Sequence, residues 1–201
     1  SGCAANNTWN GSKCVLNTYT VSTSAGSGGT ISPSSRSVSY GGNTTFTVSS
    51  NSGYHINSVT GCSGSLSGST YTTGTITANC TVTATFGINT YTITASSGAN
   101  GTVTPTGTTT KNYGTSQTYT ITPANSNYRV NNVLIDNEIG VGAVSSYTFS
   151  NITTNHSISA TFALKTYTVT ATAGSGGTIS PSSRTVNAGS ATTFTVTSKL
   201  R

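Results

Sequence analysis

The chain has 201 residues and carries 8 Lys and Arg against 2 Asp and Glu, a formal net charge of +6. Charged residues make up 5% of it, against about 25% in an ordinary soluble domain, and Ser, Thr, Gly and Asn take their place. Two carboxylates and two histidines leave little for acid–base catalysis, and the basic residues Lys13, Arg36, Lys111, Arg129, Lys165, Arg184, Lys199 and Arg201 are scattered, without the block or stripe of a nucleic-acid binder.

The first feature in chain order is a short segment bounded by Cys3 and Cys14, which holds the single tryptophan, Trp9. After it, Tyr19, Val21 and Thr23 alternate with Thr20 and Ser22, the period of two that puts one set of side chains on each face of a strand. The Gly-rich stretch 24–29 reads as a hairpin turn. Pro33 ends the next strand, because proline has no N–H to give to a ladder. Gly41-Gly42-Asn43 turns into a strand over 44–49, and Asn51-Ser52-Gly53 turns again. Further strands are expected near 54–60, 70–77 and 80–86, and no segment sustains a helical period.

The same text then recurs. Tyr19-Thr20-Val21 returns as Tyr91-Thr92-Ile93 and as Tyr167-Thr168-Val169, at intervals of 72 and 76 residues. Gly28-Gly29-Thr30-Ile31-Ser32-Pro33 returns as Asn100-Gly101-Thr102-Val103-Thr104-Pro105 and Gly176-Gly177-Thr178-Ile179-Ser180-Pro181. Thr45-Phe46-Thr47-Val48 matches Thr118-Tyr119-Thr120-Ile121 and Thr193-Phe194-Thr195-Val196, and Ala84-Thr85-Phe86 matches Ala160-Thr161-Phe162. The expected organisation is an N-terminal segment 1–17, a β-repeat 18–89, a second 90–165 and a partial third 166–201, which lacks counterparts of Tyr54, Val59, Tyr71, Ile76 and Phe86. The fold class is all-β: tandem small antiparallel modules, each sandwich-like or, alternatively, β-grasp-like. A unit of this length buries only about 60% of its unfolded surface, so cross-links and neighbouring repeats are expected to help it.

The 4 cysteines allow three pairings. Local disulfides, Cys3 with Cys14 and Cys62 with Cys80, are expected because each pair lies within one unit; the spacing does not suit a zinc knuckle. Disulfides place the chain in an oxidising, extracytoplasmic compartment. No apolar run approaches the ~20 residues of a membrane-spanning helix.

The phrases Tyr-Thr-Ile-Thr-Ala, Asn-Gly-Thr-Val-Thr-Pro, Thr-Tyr-Thr-Ile-Thr-Pro, Tyr-Arg-Val-Asn-Asn-Val and Asn-His-Ser-Ile-Ser-Ala-Thr-Phe in 91–162 resemble the divergent InlB B-repeat family of bacterial surface and secreted proteins. The resemblance runs over 18–201. It implies extracellular modules used as spacers, stalks or adhesive arms, and it supplies no catalytic residue.

Aligning the two complete units places Cys62 on Asp136 and Cys80 on His156. A disulfide holds its Cα atoms ~5.5 Å apart. Asp136 and His156 are therefore expected to be neighbours, a polar or ionic pair in place of the covalent link. A catalytic or metal-binding dyad has no nucleophile or third ligand nearby in sequence, and Asp136-Asn137-Glu138 reads as a solvated hairpin turn. Asn79 and Asn155 fall in Asn-x-Ser/Thr sequons that chance explains in so Asn- and Thr-rich a chain. Tyr71 and Tyr113 are read as cross-strand packing partners, with stacking on a sugar as the second use.

No catalytic residue, cofactor or metal is expected, and the chain is read as no enzyme. The expected function is a structural repeat protein of the bacterial cell surface or extracellular space, a spacer or stalk or a filament subunit assembled by strand complementation. An adhesin-type module for glycan or host protein is the second class. The expected partners are other copies of the chain, as a homopolymer, or neighbouring repeats of a longer chain, with a glycan for the adhesive reading; neither nucleic acid nor membrane insertion is expected.

Overall fold

A computed structural model describes residues 2–199, which leaves Arg201 of the scattered basic set outside the described residues. The described residues form strands and turns without a helix, and the chain divides after Asn89 into two compact units.

In the first unit, β1 (Asn7–Trp9) and β2 (Cys14–Leu16) make a small antiparallel hairpin. The repeat that follows consists of β3 (Thr18–Ala25), β4 (Gly29–Ser32), β5 (Ser35–Ser39), β6 (Thr45–Ser50), β7 (Tyr54–Thr60), β8 (Ser65–Ser67), β9 (Thr70–Thr72) and β10 (Cys80–Ile88). They form two sheets, ordered β5-β3-β10-β7 and β4-β6-β9-β8. Apolar side chains at alternate positions close the space between them. Val21, Val38, Val82 and Ala84 come from the first sheet, Phe46, Val48 and Tyr71 from the second, and Ile76 from the loop before β10. Each large side chain so buried contributes roughly 1.5–3 kcal/mol. Threonines and serines take the outward positions, for instance Thr45, Thr47, Thr70 and Thr72.

The chain changes sheet at almost every turn. The stretch 24–29 is therefore not a hairpin: β3 pairs with β5 and β4 with β6, so the glycines carry the chain across the sandwich instead of back along it. Local turn signals are the same for both routes, since a Gly-rich bend does not say which strand the next one will pair with. Tyr71 belongs to a strand of only three residues, with a loop over 73–79 where a longer strand was expected.

The last strand of the repeat sits in the middle of its sheet. β10 lies antiparallel to β7 and parallel to β3, in the register Cys80↔Val21 through Ala84↔Ala25. Each sheet is thus small and the first one mixed. Period-two patterning is identical for parallel and antiparallel neighbours, which is why the sequence suggests only antiparallel pairs.

The second unit opens with β11 (Thr90–Ser97), β12 (Gly101–Thr104), β13 (Gly107–Asn112), β14 (Gln117–Pro123), β15 (Tyr128–Ile135), β16 (Ile139–Gly142), β17 (Ser146–Phe149) and β18 (His156–Leu164). Its sheets are ordered β13-β11-β18-β15-β16 and β12-β14-β17, and β18 is again parallel to β11, from Ile93↔His156 to Ser97↔Ala160. The two repeats differ after β7 and β15. In the first, the chain crosses to the other sheet to form the β8–β9 hairpin; in the second, it turns back as β16 beside β15. The fully buried core holds 8 residues in the first repeat and 12 in the second. The repeat with the smaller core is the one with an internal disulfide.

Four more strands complete the second unit: β19 (Thr166–Thr170), β20 (Gly177–Ser180), β21 (Ser183–Asn187) and β22 (Thr195–Ser198). They are counterparts of β3 to β6. β19 pairs only with β21 and β20 only with β22. Lys165 alone separates β18 from β19. Its N–H donates to the carbonyl of Asn127, and its carbonyl accepts from the N–H of Ala188.

Candidate functional site

The chemically distinctive residues of both complete repeats collect at one place, the start of the central strand. In the first repeat, Cys62 and Cys80 are joined by a disulfide with a Cα–Cα distance of 5.6 Å. Cys62 and Ser63 follow β7 with φ of 47° and 50°, two consecutive left-handed residues. In the second repeat, Asp136 and Asn137 follow β15 with φ of 52° and 59°. Two successive left-handed residues mark the tight turn that Asn and Asp tolerate best. The backbone is therefore equivalent in both repeats, and only the chemistry of the link differs.

That link is a hydrogen-bonded ion pair in the second repeat. His156 Nδ1 lies 2.9 Å from Asp136 Oδ2, and the N–H of Ser157 donates to Asp136 Oδ1 at 2.8 Å. The imidazole is stacked on Phe149, with ring centroids 4.8 Å apart. Partial burial pushes the Asp136 carboxyl upward, but the hydrogen bond from His156, the Ser157 N–H and the imidazolium charge outweigh it, so the net direction is down. Asp136 and His156 thus stand where the aligned cysteines stand.

A second element of the site was not legible as such. Asn79 Oδ1 accepts from the N–H of Thr20 at 2.8 Å, and Asn155 Oδ1 accepts from the N–H of Thr92 at 2.9 Å. Each asparagine immediately precedes the central strand and ties it to the first strand of its repeat. The recurrence of Asn one place before Cys80 and His156 is the signal in the sequence, obscured by its reading as a sequon.

The remaining candidates do not converge. Cys3 and Cys14 are disulfide-bonded, Cα–Cα 5.6 Å, and pin the ends of the N-terminal hairpin. His55 is on β7 in the first unit, its Nδ1 2.8 Å from Asn89 Oδ1. Glu138 is exposed in the β15–β16 turn. Tyr71 is buried and its hydroxyl donates to the carbonyl of Gly61 at 2.6 Å, so its face is not open to a sugar; Tyr113 is half-buried. Among the described residues, no three His, Cys, Asp or Glu side chains come together as a metal cluster would require.

The geometry has a mechanical meaning. In parallel neighbours the two N-termini lie at the same end. The chain enters the first repeat at the start of β3 and leaves it at the end of β10, so the two attachment points lie at opposite ends of one hydrogen-bonded pair. Tension drawn through the chain pulls β3 and β10 in opposite senses along their common axis. All the hydrogen bonds between them are then loaded together, in shear, not one after another. β11 and β18 repeat the arrangement.

The divergent InlB B-repeat domain family matches residues 19–90 and 91–166, and the chain belongs to it. No curated protein and no solved structure matches the chain. Family membership makes the chain a tandem structural repeat of a kind found in bacterial surface proteins.

Proposed function

We propose that this chain is a tension-bearing spacer of a bacterial surface or secreted protein, working outside the cytoplasm and without catalysis. One observation carries the reading: in both complete repeats the first and last strands are adjacent and parallel, so that the chain's own path loads them in shear. The disulfides fit an oxidising exterior, and the scarcity of ionisable groups leaves the sandwich little affected by salt. The experiment is a comparison of pulling directions on the same chain. Force applied through the two termini is expected to require markedly more tension to rupture each repeat than force applied across the antiparallel β3–β5 pair through engineered attachment points. Equal rupture forces in the two directions would end the proposal.

An adhesive arm remains the second reading, and one surface favours it. Trp9 and Leu16 are both about half exposed on the N-terminal hairpin, and the register Asn7↔Leu16 and Trp9↔Cys14 puts them on one face. An exposed indole beside amide groups suits stacking on a sugar ring. Glycan-array binding abolished by Trp9→Ala would support this reading; an array without signal would remove it.

A further inference from the structure

The segment 166–199 contains β19 to β22, the counterparts of β3 to β6, and no described counterpart of the central strand β10 or β18. The consequence shows in side chains at matched positions. Val21 and Ile93 are 0% exposed, whereas Val169 in the same place is 37% exposed. Val48 and Ile121 are 1% and 2% exposed, whereas Val196 is 72% exposed. An open groove of about 390 Å³ lies between the two short sheets, lined by Thr172, Ala173, Ile179 and Val196 among others.

The complete repeats show what covers this surface. In the first, Val82 and Ala84 face the core from β10 and the Phe86 ring follows; in the second, Ile158, Ala160 and Phe162 do the same from β18. The aromatic ring has a dedicated seat. A Cβ on Gly29 would collide with the ring of Phe86, and a Cβ on Gly101 with the ring of Phe162. Gly177 is the third glycine of this series, and a Cβ there would meet only the Thr197 carbonyl and its neighbouring backbone. The residue that makes room for a phenylalanine is present although no ring lies over it.

The backbone agrees. β3 runs on to Ala25 and β11 to Ser97, and it is their second halves that pair with the central strand. β19 stops at Thr170, and its continuation through Ala171, Thr172 and Ala173 is not a strand.

We infer that this groove is an acceptor site for a separate β-strand with Val or Ile, Ala and Phe at alternate positions, entering parallel to β19. By the register of the complete repeats, its first inward residue lies opposite Val169, its aliphatic residue opposite Ala171 and its alanine opposite Ala173, with the phenylalanine over Gly177. Backbone hydrogen bonds supply affinity and the alternate side chains supply selectivity, the logic of strand addition. A second copy of the chain does not present this strand, because its β10 and β18 are held on both edges. The inference does not rest on the tension-bearing reading, since binding to the groove and rupture under force are separate measurements.

The test uses the full chain and a synthetic peptide of residues 154–164, followed by fluorescence anisotropy and by hydrogen exchange. The expected result is saturable one-to-one binding with new amide protection at residues 171–173. Replacing the peptide's Phe162 by Ala, or Val169→Asp in the chain, should each weaken binding by about tenfold or more, the loss typical of a buried anchor. Should Val169→Asp disturb folding, Ala173→Glu places a charge in the same groove from an exposed, non-strand position. Equal binding of a scrambled peptide, or binding without protection at 171–173, would overturn the inference. So would concentration-dependent self-association that protects 171–173 without peptide, which would assign the groove to a second copy.

Discussion

Asp136 and His156 show how one backbone position can be secured by different chemistry. The Asp136 carboxyl titrates below its ordinary value in the folded chain, so its contribution to stability is fully present above the unfolded pKa and is lost as pH falls through the lower, folded one. Its side chain is 41% exposed, and screening by water keeps the contribution within the range of surface pairs, under about 1 kcal/mol. Asp136→Asn is therefore expected to lower stability modestly near neutral pH. Its difference from the wild type should shrink to nothing in acid, below about pH 4. Urea unfolding of both proteins across this range measures it, and a difference that persists in acid would assign the effect to packing. A second residue gives a cleaner sign. The Tyr119 hydroxyl is buried without a hydrogen-bond partner, whereas Phe46 fills the matching place in the first repeat. Tyr119→Phe is expected to raise the unfolding free energy by about 1 kcal/mol, the cost of an unsatisfied buried polar group removed. A loss of stability on urea unfolding would show that the hydroxyl is satisfied in solution.

At the scale of elements, the start of the central strand is fixed three times over: by the turn after β7 or β15, by Asn79 or Asn155, and by the disulfide or the ion pair. If the two links are equivalent, the double substitution Asp136→Cys and His156→Cys should oxidise spontaneously to a third disulfide. Thiol titration of the folded protein should then find no free cysteine; two reactive thiols would show that the equivalence is of sequence only. Much of this level could be read from the residues. The span 54–60 is a strand from Tyr54 to Thr60, and the offset between repeats brings Asp136 to His156. The path between strands could not be read. Gly-rich bends at 24–29 and 41–43 look the same whether they return to a neighbour or cross the sandwich, and nothing local tells β10 that its partner lies some sixty residues earlier and runs parallel. The divergence of β8 from β16 was equally hidden, since both follow the same left-handed pair.

For the whole molecule, the account rests on force passing through each repeat along the shared axis of its first and last strands. The two repeats should then differ in one measurable way. The Cys62–Cys80 disulfide, with a sequence separation of 18, withholds the loop it closes from extension even after β10 has slid off β3. At the length of an extended residue that is about 60 Å of contour hidden in the first repeat. The most direct measurement is single-molecule pulling of the chain by its termini, with and without a reductant. The expected result is two discrete rupture events at comparable force, one of them short by the length of the closed loop and restored to full length on reduction. Smooth extension at low force without discrete events would contradict shear loading of the parallel pairs, and with it the proposal that the chain bears tension.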